Sequence, residues 1–269
     1  MTDATTAWLR ALSTVLASGT PVAPRGQPTL EVLHRTDYVD LRRPVVVCPP
    51  RGLNYRFAAA EAAWILNGQN DLASLTRVNP RMAEFSDDGT TLFGAYGPPI
   101  QDQLGHVVNA LRRDPDSRQA VLTIWRPNPP VTKDTPCTVA MTFNLRHGKL
   151  NQHVFMRSSD LWLGWVYDVF SFSMVAHQVC CRLNVNTDSE VVAVPGDLYL
   201  TAVSSHLYEP QWEAARALVG WEGVAAGTAQ LRTPPELYRS EEALKERLES
   251  LVATSPNHPL RWWEPRAVS

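Results

Sequence analysis

Cysteine is scarce and unpaired in this chain. Cys48, Cys137, Cys180 and Cys181 are all there is among 269 residues, none spaced C-x-x-C, and the adjacent Cys180 and Cys181 are badly placed to bridge each other. A disulfide framework or a metal site is therefore not expected, and a reducing cytoplasm fits best. An excess of charge is missing too, since 25 basic residues face 27 acidic ones and no strong field draws the chain to nucleic acid or an anionic membrane. Local arginines must do any phosphate work. Nothing approaches the run of roughly 20 apolar residues that crosses a bilayer. Residues 7–16 place Trp8, Leu9, Leu12, Val15 and Leu16 on one helical face but are interrupted by Arg10, as in a packed first helix rather than a signal peptide. Internal repeats and low-complexity blocks are absent. A chain of this length can bury a full core, so one domain over residues 1–269 is expected.

What the sequence does have is concentrated between residues 135 and 172. Cys137 follows a proline, and residues 138–145 alternate apolar Val139, Met141 and Phe143 with smaller or polar partners, the period of a strand. His147-Gly148-Lys149 is a turn, residues 150–157 alternate again, and Arg157-Ser158-Ser159-Asp160 is a polar cluster at a strand end, a common place for a binding site. Residues 169–183 are apolar almost all round and predict a buried central helix containing His177, Cys180 and Cys181 as core residues. Helices are also expected at 57–67, 103–113, 209–219 and 241–252. Strands are expected at 30–33, 45–48, 120–125 and 190–194, the last ending at Pro195-Gly196-Asp197. Residues 256–269 read as a Pro- and Trp-containing tail.

A Pro-Cys before a strand, a hairpin, then R-S-x-D-x-x-L-G and a helix resembles the thymidylate synthase family. Arg157, Ser158, Asp160, Leu163 and Gly164 stand in that register, with Cys137 twenty residues upstream of Arg157. Asp114-Pro115-Asp116-Ser117-Arg118 resembles the family's D-P-x-S-R phosphate segment, Glu61 before Trp64 its E-x-x-W helix, and Tyr96-Gly97 its Y-G turn. The resemblance spans roughly residues 20 to 218 and implies an α/β (α+β) thymidylate synthase-like fold, a mixed sheet packed by helices around a long buried one. It further implies 5,10-methylenetetrahydrofolate as co-substrate, Cys137 as nucleophile on pyrimidine carbon 6, Glu61 ordering water, and Asp160, Gly164 and Met82 toward the folate. Nucleotide contacts are implied for Arg25, Tyr96, Arg118, Arg157, Ser158, Ser159 and Tyr199. Arg118 would serve the partner's site in a homodimer. Where the family pairs that arginine with a second, Gln119 stands here, removing a charge and a bidentate fork.

One departure redirects the chemistry. Where family synthases carry Asn after the L-G segment, Trp165-Val166-Tyr167-Asp168 places Asp. An amide matches the 4-oxo group and N3–H of uracil, whereas a carboxyl can accept from the 4-amino group of cytosine and share a proton with its N3. The same change marks the family's cytidylate hydroxymethylase branch, in which water instead of hydride captures the methylene. This chain resembles that branch. The family continues G-D-x-H-L-Y for the sugar, but here Gly196-Asp197-Leu198-Tyr199 comes first and His206-Leu207-Tyr208 later. That displacement suggests ribose and favours CMP over dCMP, as in the CMP hydroxymethylases of peptidyl-nucleoside antibiotic pathways. Three alternatives stay open: a thymidylate synthase acting on dUMP, a folate-independent cysteine hydrolase pairing Cys137 with His147, His153 or His177, and a non-catalytic nucleotide or RNA binder.

Overall fold

A computed structural model describes residues 2–185, 193–221 and 232–254. The expected strand at 190–194 falls mostly outside them, and the tail at 256–269 entirely so. The first helix, α1 (Ala4–Ser18), starts at Asp3, whose carboxylate accepts from Thr6 N, and buries Trp8, Ala11, Leu12 and Val15. Strands β1 (Thr20–Val22) and β2 (Thr29–Asp40) follow, then α2 (Tyr55–Leu66), the short α3 (Leu72–Thr76) and α4 (Gly97–Arg113). The second half supplies β3 (Val121–Thr123), β4 (Thr138–Arg146), β5 (Lys149–Asp160), α5 (Trp165–Asn184), β6 (Val194–Tyr208), α6 (Trp212–Leu218) and α7 (Glu241–Thr254).

The six strands form one mixed sheet in the order β1-β2-β6-β5-β4-β3, in which only β5 and β6 run parallel. Parallel neighbours need a long crossover, and α5 provides it. Its residues are buried almost without interruption from Trp165 to Leu183, and it packs on β5 and β6 as well as on α2, α4 and α7. Among the described residues, no helix covers the opposite face of the sheet. Tyr38, Phe155 and Val203 remain 58%, 41% and 48% exposed there. His153 stacks on Phe155 and bonds to Thr201 on that same face, with Tyr199 beside it.

Four local expectations are corrected. Residues 45–48 are buried but form no strand: the N–H of Val47 donates to Thr5 Oγ1 and the carbonyl of Val46 accepts from Tyr55 Oη, so side chains replace a ladder. Helix α4 begins six residues earlier than 103, because Pro98 and Pro99 occupy first-turn positions where no helical N–H is needed. A β-bulge between Thr138 and Ala140 takes Val139 out of the apolar row, so that Thr138 is buried and Val139 is exposed. Finally, Pro195-Gly196-Asp197 does not end a strand but lies inside β6, which runs on to Tyr208. Pro195 pairs with Leu150, and a Cβ on Gly196 would meet Asn151 Oδ1 at 2.4 Å, so the glycine marks close strand approach.

Candidate active site

The site is assembled where the C-terminal ends of β5 and β6 meet the start of β4 and the first turn of α5. Residues 135–137 are stitched to β5 by Arg157, whose Nε donates to Pro136 O at 3.0 Å and whose Nη2 donates to Thr135 O at 2.9 Å. The N–H of Arg157 also donates to Cys137 O at 2.9 Å. This fixes Cys137 with its Sγ 3.5 Å from Ser158 Oγ and 3.7 Å from Arg157 Nη2. Burial pushes the thiol above its ordinary value; Ser158 and the Arg157 charge pull it down, while Asp168 and Asp134 push it up again. Arg157 directs most of its donors to carbonyls.

Three carboxyl groups gather opposite the cysteine. Glu61 leaves α2 among Ala58, Ala59 and Ala62, small neighbours that let α2 lie close to α5. Ser171 Oγ donates to it at 3.4 Å, and burial pushes its carboxyl up to about 7. Asp168, in the first turn of α5, is raised well above the usual carboxylate range, first by burial and then by the nearby Glu61 and Asp160. Gly164 makes room for it, since a Cβ there would meet Asp168 Oδ2 at 3.3 Å and Asp160 O at 3.4 Å. Tyr96, capping α4, stacks on Phe172 and feels the charges of both Asp168 and Cys137, with its phenol raised chiefly by burial.

The turn from β5 into α5 is held from several sides. Asp160 Oδ1 accepts from Trp162 N at 2.8 Å and Leu163 N at 3.0 Å, Trp8 Nε1 donates to Leu161 O, and Trp165 Nε1 donates to buried Asp37. Arg51 lies 4.2 Å over the Trp162 ring and donates to its carbonyl. Such bracing suits a place where reacting groups must not drift.

Other expected residues separate. Arg25 lies in the exposed turn before β2, with φ of 53°, at the same sheet end as Tyr208, because Thr29 pairs with Tyr208. Ser158 touches Cys137, whereas Ser159 is buried with a hydroxyl that finds no partner among the described residues. Met82 is half-buried in the turn of Pro80–Phe85 and packs against the core. Tyr199 is corrected outright: it pairs with His153 on the uncovered face in mid-sheet, nine residues before the end of β6 at Tyr208. His206 and Tyr208 stand at that end instead, with His206 in register with Asp160. The His206-Leu207-Tyr208 run is therefore not displaced, and the case for ribose that rested on its displacement falls. Gly196-Asp197 was a chance echo; the strand-like run of residues 198–203, which continues past it with no turn residue, was the signal that could have shown it.

Arg118 lies at the other end of the hairpin. Ala120 O accepts from Phe143 N, and Arg146 donates to the carbonyls of Pro115 and Asp116, so Arg118 sits ~20 Å or more along β4 from Cys137. It lines an open cleft of about 680 Å³ with Arg113, Asp114, Ser117 and Gln119. The histidines invoked for a hydrolase are also far from Cys137. His147 is in the hairpin turn, His153 faces the bare side, and His177 is buried against Ser173 O within α5.

A family model described as thymidylate synthase matches residues 6–241. The chain belongs to the thymidylate synthase family. It is also 32% identical over 222 residues to a deoxyuridylate hydroxymethyltransferase of Bacillus phage SP01, an alignment covering 73% of this chain. The match covers 55% of the phage protein, so this chain spans little more than half the length of that curated relative. The mixed sheet, crossover helix and cysteine-bearing hairpin described above are consistent with the family's fold.

Proposed function

We propose that this protein transfers a one-carbon unit from 5,10-methylenetetrahydrofolate to carbon 5 of a cytidine monophosphate, with water capturing the methylene to give 5-hydroxymethylcytidylate and tetrahydrofolate. The observation that carries the proposal is Asp168, a carboxyl in the first turn of α5 that burial, with Glu61 and Asp160 nearby, pushes well above the usual carboxylate range and so toward its protonated form. In that state its hydroxyl donates to cytosine N3 and its carbonyl oxygen accepts from the 4-amino group. Rotated, a protonated carboxyl also fits uracil, so the choice between bases falls at the charged stage. When Cys137 adds to carbon 6 as the thiolate, the negative charge pushed onto cytosine N3 takes the Asp168 proton, leaving a neutral N3–H hydrogen-bonded to the Asp168 carboxylate in an enclosed site. Uracil O4 is a far weaker base and gains less.

The residues toward the folate fit such a group. With Asp160 Oδ1 tied to the turn, no donor among the described residues reaches Oδ2, and half-exposed Leu163 and the Trp162 ring supply apolar surface beside it. The folate supplies the one-carbon unit. Glu61, able to hold or release a proton near neutral pH, orders the water that completes the product. The uncovered sheet face supports a homodimer, because exposed Tyr38, Phe155 and Val203 form an apolar surface that the described residues leave open. In that dimer Arg118, too far to reach its own Cys137, serves the partner's nucleotide phosphate.

A second reading has its own support, since the phage relative is named for deoxyuridylate. Incubation with methylenetetrahydrofolate and each of CMP, dCMP, UMP and dUMP, with products weighed by mass spectrometry, separates the two. A hydroxymethyl product from cytidylate is expected. Turnover of uridylates alone would overturn the proposal.

A further inference from the structure

The polar row at the end of the sheet continues past the residues assigned so far. Ser158, which touches Cys137 Sγ, is in register with Ser204 on β6; Asp160 is in register with His206, and His206 in turn opposes Glu31 on β2. Ser204 Oγ donates to Glu31 Oε1 at 2.5 Å, and His206 Nδ1 lies 3.5 Å from the same hydroxyl oxygen. Because the Ser204 proton goes to Glu31, the serine oxygen faces the imidazole as an acceptor, which favours the proton on Nδ1 and leaves Nε2 to accept from elsewhere. Glu31 Oε2 meets no donor among the described residues.

Distance and chemistry agree on what these two acceptors face. Adjacent strands lie about 4.8 Å apart, so Glu31, opposite His206, is two spacings from Asp160, with Ser158 two residues back along β5. The carbon that Cys137 attacks is bonded to the ring nitrogen carrying the sugar, and the sugar hydroxyls therefore fall within the same reach. A carboxylate oxygen and an imidazole nitrogen on directly opposed residues match two neighbouring hydroxyls, one on each. We infer that Glu31, held in place by Ser204, accepts the 2′-hydroxyl of ribose while His206 takes its neighbour, making the site selective for ribonucleotides. Deoxyribose would leave Glu31 facing a carbon, a desolvated carboxylate without its donor. Glu31 is the specificity-determining residue; Ser204 is a positioning residue.

The inference rests on the reading that a pyrimidine nucleotide occupies this site, and its test needs no folate. Calorimetric titration of CMP, dCMP, UMP and dUMP into the full chain, and into Glu31→Ala and Glu31→Gln, reads sugar and base preference separately. In the unaltered protein CMP is expected to bind at least about tenfold more tightly than dCMP, the scale of one hydrogen bond to a charged group. Glu31→Ala should bring that ratio close to one by weakening CMP alone, and Glu31→Gln, which keeps shape and an acceptor, should fall between. Equal binding of ribose and deoxyribose forms by the unaltered protein overturns the inference, as does a ratio that survives both substitutions. Because the base is chosen only at the charged stage, the cytidylate reading stands or falls with product formation and the Glu31 inference with these titrations, so either can fail while the other stands.

Discussion

The two ends of the β4–β5 hairpin both bring arginine and acid together, yet they handle charge in opposite ways. At the Cys137 end the groups are enclosed: the thiol, Glu61 and Asp168 are all pushed toward their neutral forms by burial, and Arg157 is anchored to carbonyls. At the Arg118 end the groups are open. Arg113 and Arg118 line a solvent-filled cleft, and the Arg146–Asp116 pair is 3.7 Å apart with Asp116 88% exposed, a contact worth little to stability. Enclosure tunes protonation, which bond making and breaking require. Exposure keeps full charge available for an anion, which binding requires.

That contrast can be broken at either end, and the largest effect is expected at the cysteine. Cys137→Ala should abolish turnover with an unchanged circular dichroism spectrum; substantial product from a folded variant would remove covalent catalysis from the account. Arg118→Ala should also be nearly inactive alone, yet co-refolded with Cys137→Ala it should regain up to about a quarter of normal activity, as shared sites in a dimer allow. No recovery on mixing, or an active monomer in sedimentation, contradicts the sharing.

Glu61→Gln sharpens the comparison through pH. A carboxyl raised from 4.5 to about 7 in the folded state contributes stability that is fully present below pH 4.5 and lost as pH rises through 7. The variant should therefore melt with a flatter pH dependence across that window and gain on the native protein toward pH 8, while turnover drops by about 10²-fold or more. Parallel melting curves against pH would show that Glu61 is not the buried titrating group. The smallest effect is expected from Tyr199→Phe, which should leave kcat/KM within about twofold because its hydroxyl is on the far face.

These residues also show how far the sequence could be read. The hairpin and α5 were legible because alternation and all-round apolarity are local patterns, and Cys137, Arg157, Ser158, Asp160 and Asp168 travel with them. What misled was punctuation. Pro195-Gly196 looks like a turn when only neighbours in sequence are considered, but Pro195 has a partner in Leu150 and Gly196 yields to Asn151. Val45-Val46-Val47 looks like a strand until Thr5 and Tyr55 supply its hydrogen bonds from elsewhere. The Glu31, Ser204 and His206 row had no sequence signal at all, because it exists only through the register of three strands. Composition likewise counts arginines but does not reveal that Arg157 is bonded to Thr135 and Pro136.

The central claim is that Asp168 selects cytosine through the charge that develops at N3. It is tested most directly by kcat/KM for CMP against UMP, and for dCMP against dUMP, in the native protein and in Asp168→Asn. Removing a carboxyl that pairs with a protonated ring loses a hydrogen bond to a charged group, about 1.5 to 3 kcal/mol, so cytidylate turnover should fall by at least about one to two decades. Uridylate should gain relative to cytidylate, since the restored amide fits its edge. A cytidylate-to-uridylate ratio that is the same in both proteins would show that Asp168 does not read the base, and would contradict the account.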